Sequence, residues 1–134
     1  MPPKIHQLTF RQLHGIFAVC RLPADSPVPP WALHGAFFSV TKTADELSIV
    51  CLQANVPEHT SAELNWAALK LEGPFPFAMT GILSSFIAPL SASGIPIFAI
   101  STFDTDYVFV KQEILTTALE KLSAAGHQFL PARP

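Results

Sequence analysis

The sequence predicts an α+β protein in which helices cover antiparallel sheet, and three observations lead there. Between residues 80 and 94, Ile82, Phe86 and Leu90 recur at i, i+4 and i+8 with Leu83 and Ile87 beside them, which is one apolar helix face closed by Gly94. Residues 95–103 are then almost all apolar, too short for a helix and broken by Pro96. They read as a buried strand that turns at Asp104-Thr105 and returns through residues 107–110. Residues 112–125 carry Ile114, Leu115, Ala118, Leu119 and Leu122 as a single stripe. With a strand over 65–72 before them and a short one over 127–130 after Gly126, the order is β-α-β-β-α-β, the ferredoxin-like arrangement.

The first half repeats part of this order. Residues 5–10 and 14–22 read as strands, the second with an unbroken apolar run from Ile16 to Cys20, and the two are expected to pair as a hairpin. Pro23, Pro27, Pro29 and Pro30 remove too many donors for residues 22–30 to lie within a sheet, but Pro30 suits the first turn of a short helix ended by Gly35. Residues 37–41 and 46–52 form a strand pair around the turn Lys42-Thr43-Ala44-Asp45, and a polar connection follows over 56–63. The expectation is a degenerate duplication, with an N-terminal subdomain at 1–61 and a C-terminal one at 62–134. They share a core, because neither half alone buries enough surface.

Composition narrows the function. Of 134 residues, 49% are hydrophobic, enough for a packed interior, and the net charge is -2 with eight Lys and Arg scattered singly. No basic stripe exists to neutralise phosphates or anionic lipid, so neither nucleic acid nor a membrane is an expected partner. No apolar run reaches the roughly 18–20 residues of a membrane span, and Met1-Pro2-Pro3-Lys4 lacks the apolar region of a signal peptide. A cytoplasmic protein is expected. Cys20 and Cys51 each lie inside a strand-like run, as buried thiols do.

Chemistry-bearing patterns are sparse. His6, His14, His34, His59 and His127 stand singly with no metal-ligand spacing, the cysteines form no C-x-x-C, and no phosphate-binding loop is present. Neither metal, cofactor nor catalysis is expected. A site for a free amino acid needs backbone N–H groups for the carboxylate and an acidic side chain for the ammonium. The helix start at Thr80 and Gly81 offers the first, and Asp104 and Asp106 in the adjoining hairpin offer the second. Each also has a plainer reading: Thr80 as an ordinary cap, Gly81 as a close-packing residue, and the two acids as turn formers.

The run Ile-Ser-Thr-Phe-Asp-Thr-Asp-Tyr-Val-Phe-Val-Lys over 100–111, preceded by Gly-Ile-Leu at 81–83 and Ala-Pro-Leu at 88–90, resembles the signature of ACT domains, small regulatory modules that bind amino acids. It is most similar to the tandem-ACT group containing stand-alone bacterial proteins and the CASTOR arginine sensors of animals. The strong match covers 80–122, and a weaker one covers 37–50. The resemblance implies an amino-acid-binding sensor with ligand contacts from the loop and helix before the central strand and from Ser101, Thr102, Phe103 and Asp106. It aligns an edge-strand backbone contact with Pro96 and Ile97, where proline has removed a donor. It also puts Pro76 and Met79 where the group has a glycine and a glutamate that grip a cationic side chain. A smaller or apolar ligand, next to Phe77, Met79 and Leu83, or no ligand at all, is therefore expected. The expected site is Thr80, Gly81, Leu83, Ile97, Thr102, Phe103, Asp104 and Asp106. The expected partners are a small-molecule amino acid, a second copy in a homodimer, and a regulated protein of unknown identity. The alternative is a ligand-free interaction or dimerisation module.

Overall fold

The computed structural model describes residues 5–131. The proline-rich start at 1–4 and the last three residues of the C-terminal tail lie outside the described residues. The chain divides into two units, Gly15–Trp66 and Met1–His14 with Ala67–Pro134.

The unit Gly15–Trp66 holds β2 (Phe17–Leu22), β3 (Ser39–Lys42), β4 (Leu47–Leu52) and the first residues of β5 (Ala62–Leu71), antiparallel in the order β3-β4-β2-β5. The turn between β3 and β4 forms because the Thr43 hydroxyl accepts from the N–H groups of Asp45 and Glu46 while the Thr43 N–H reaches the Glu46 carbonyl at 2.9 Å. The expected short helix is a 3-10 turn, Pro30–Leu33, whose Ala32 is buried with Ala18, Cys20, Leu47, Ile49 and Cys51. Between the pairs Phe17↔Trp66 and Val19↔Glu63, β5 carries one more residue than β2. The extra residue is absorbed by Asn65 at φ +69, whose N–H donates to the Gln53 side chain at 2.7 Å. Sequence reading began this strand at Asn65, because the polar residues 62–65 hide its true start.

The other unit runs β1 (Thr9–Gln12), the rest of β5, α1 (Ile82–Ala92), β6 (Ile97–Ser101), β7 (Asp106–Lys111), α2 (Leu115–Ala124) and β8 (Gln128–Leu130). From β5 onward this is the expected β-α-β-β-α-β order. The strand order is β6-β7-β5-β1-β8, with β1 antiparallel to β5 and parallel to β8. So β1 does not form a hairpin with β2. It lies between β5 and β8, and local sequence carries no signal for such a distant pairing. Ala67, Leu69 and Leu71 of β5, Val108 and Val110 of β7, and Phe10 of β1 meet Ile82, Phe86 and Leu90 of α1 and Ala118 and Leu122 of α2 in one apolar layer. Phe10 and Phe86 pack edge to face, ring centres 5.0 Å apart. Both helices end on left-handed glycines, Gly94 (φ +70) and Gly126 (φ +93), as the sequence predicts.

Candidate functional site

The hairpin joining β6 to β7 is tied down from three directions. Its turn closes with the Thr102 N–H donating to the Thr105 carbonyl at 2.8 Å, and the Thr102 hydroxyl donates to the same oxygen at 3.0 Å. Thr105 is buried, and its hydroxyl reaches the Leu71 carbonyl of β5 at 2.7 Å. The Phe75 N–H donates to the Asp104 carbonyl at 2.9 Å, so the segment leaving β5 lies along the turn. Gly73 permits this approach: a Cβ there would stand 3.1 Å from the Asp104 carbonyl oxygen and 3.0 Å from the Phe75 nitrogen.

These ties frame a hollow of about 160 Å³ lined by Phe75, Pro76, Phe77, Met79, Ile82 and residues 101–106. The carboxylate of Asp106 accepts from the Ser101 hydroxyl directly across the β6–β7 ladder. Asp104 is exposed and its side chain makes no hydrogen bond among the described residues. Phe77 and Phe103 are 76% and 81% exposed and meet edge to face at 5.2 Å. A neighbouring hollow of about 170 Å³ shares Thr102, Asp104 and Thr105 and adds Lys70 and Tyr107. The Tyr107 hydroxyl titrates above its ordinary range, through burial first and then the nearby charges of Asp104 and Glu72.

Four of the expected site residues, Thr102, Phe103, Asp104 and Asp106, line the first hollow together. Thr80 and Gly81 lie between two of its lining residues, Met79 and Ile82, without lining it themselves. Leu83 and Ile97 pack against the apolar layer instead. Thr80 is not the helix cap. Gly81 holds that position at φ +80 with no side-chain cap bond, and the Thr80 carbonyl lies 2.9 Å from His6 Nε2. A left-handed residue is needed where the chain turns into α1, and glycine takes that conformation at least cost. Sequence reading missed Phe75, Ile82 and Thr105 as lining. The signal available was Gly73-Pro74-Phe75-Pro76, whose prolines force an extended segment next to the helix start.

Comparison with known proteins follows the division of the chain. An ACT domain model matches residues 61–124, and a model of an N-terminal domain matches residues 15–59. The crystal structure of protein Atu0741 from Agobacterium tumefaciens is 40% identical, with a TM-score of 0.91 over 96% of both chains. The human protein CASTOR3P is 35% identical over 66% of this chain and 62% of its own length. The bovine cytosolic arginine sensor for mTORC1 subunit 1 is 26% identical over 65% of this chain. The chain spans 30% of that sensor's length.

Proposed function

Because this chain belongs to the ACT-domain proteins, in the group related to the CASTOR arginine sensors, we propose that it binds a free amino acid in the hollow beside the β6–β7 turn and has no catalytic activity of its own. One observation carries the reading. The start of α1 and the acidic turn, distant in sequence, converge on one small hollow. The N–H groups of Ile82, Leu83 and Ser84 have no acceptor within their helix, and the first intrahelical bond runs from Ser85 to Gly81 at 3.0 Å. They suit a carboxylate, and Asp104 suits an ammonium. The lining holds no histidine, cysteine or lysine to act as a base or nucleophile. Occupancy would be conveyed to a regulated protein, in keeping with the sensor named among the relatives.

The test is a thermal-shift screen of the purified protein against the twenty amino acids at millimolar excess, since binding to the folded state raises stability by RT ln(1 + [L]/Kd). A shift for one or a few is expected. No shift with any of them, in protein confirmed folded, removes the reading.

A second reading is favoured by β6, which pairs with β7 alone among the described strands. A sheet edge of this kind can associate with another copy, giving a homodimer that needs no ligand. Sedimentation with and without amino acids separates the two, because only a sensor changes its behaviour on addition.

A further inference from the structure

We infer that the hollow beside the β6–β7 turn selects amino acids with an apolar side chain, a specificity that rests on the amino-acid-binding reading and goes beyond it. The lining is segregated. Ser101, Thr102, Asp104, Thr105 and Asp106 come from the turn, while Phe75, Pro76, Phe77, Met79 and Ile82 come from the segment between β5 and α1, and Phe103 leans toward them through its contact with Phe77. A zwitterion placed with its ammonium on the turn therefore directs its side chain onto apolar surface. Charged side chains fare worse there. No lysine or arginine lines the hollow, so an acidic side chain meets only Asp104 and Asp106. Asp106 already accepts from Ser101, which leaves the carboxylate of Asp104 for the ammonium and no second one for a cationic side chain.

Phe77 and Phe103 are the second line of argument. Two rings so far exposed, with Met79 at 43%, add nothing to the packed interior but lose water when a ligand covers them. At about 160 Å³ the hollow is smaller than the roughly 300–1,000 Å³ of drug-sized sites, so it admits a small metabolite.

Titration calorimetry of the full chain against glycine, alanine, norvaline and norleucine, with arginine and aspartate alongside, tests the inference. Affinity is expected to rise roughly fourfold per added methylene. Phe77→Ala and Phe103→Ala are expected to flatten that rise while retaining the wild-type circular dichroism spectrum, since both rings lie outside the core. A flat series, or tighter binding of arginine or aspartate, overturns the apolar class and leaves amino-acid binding standing. Failure of every amino acid to bind overturns both.

Discussion

His127 supplies to α1 the hydrogen bond that Pro89 withholds. In a helix the carbonyl of Ser85 is served by the N–H of residue 89, and proline has none. The Nε2 of His127 lies 3.0 Å from that carbonyl, and its Nδ1 accepts from the Leu8 N–H at 3.0 Å, which places the ring proton on Nε2. One neutral imidazole, 5% exposed, thus joins the residues before β1, the middle of α1 and the start of β8. His127→Ala strips two protein groups of their partners and is expected to cost on the order of 2–4 kcal/mol in urea unfolding. Pro89→Ala restores an N–H to the helix, so the same histidine substitution should cost about 1 kcal/mol less in that background. Equal costs in both backgrounds would show that Ser85 does not depend on the imidazole.

Thr105 couples the fold to the hollow. Its hydroxyl is the anchor to Leu71, and its main chain closes the turn that carries Asp104 and Asp106. Thr105→Val keeps the shape and removes the donor, with an expected loss of about 1–2 kcal/mol. The amino-acid thermal shift should shrink with it. A variant of unchanged melting temperature and unchanged response would show the turn to be held by its backbone alone.

Asp106 separates ligand binding from stability. It is half-buried at the first position of β7, and its one recorded partner is the Ser101 hydroxyl. Asp106→Ala is expected to abolish the thermal response to amino acids while lowering stability by no more than about 1 kcal/mol, as for other carboxylates near a surface. If the response survives in that variant, Asp106 lies outside the site.

The parts of this architecture that rest on local pattern were legible in the sequence. The apolar face of α1, the stripe of α2, the glycines ending both and the turn chemistry of residues 102–105 each act over a few residues, and each is present in the structure. What escaped rests on contacts between distant residues. The insertion of β1 between β5 and β8 depends on pairings such as Phe10 with Leu71 and with Phe129, which no local periodicity encodes. The start of β5 was hidden because Asn65 sits in a bulge supported by the side chain of Gln53. For the site, the sequence motif located the acidic turn. The apolar wall could be recognised only once the residues between β5 and α1 were seen to lie along that turn.

Alkaline pH should weaken the protein through Cys20. This thiol is 1% exposed on β2, and burial, followed by the nearby Cys51, pushes it from an ordinary 9.0 up to about 11. Burial raises Cys51 as well. The folded state therefore holds the thiol proton more tightly than the unfolded chain does. Its contribution is complete below about pH 9, where both states are protonated. It is lost as pH rises from about 9 toward 11, because the unfolded chain ionises first. The loss over that window is on the order of 2–3 kcal/mol. Urea unfolding of wild type at pH 8 and pH 10.5 should show the fall, and Cys20→Ala should lose most of it, whereas lysine and tyrosine titration affects both proteins alike. Parallel losses in the two would assign the alkaline weakening to groups other than this buried thiol.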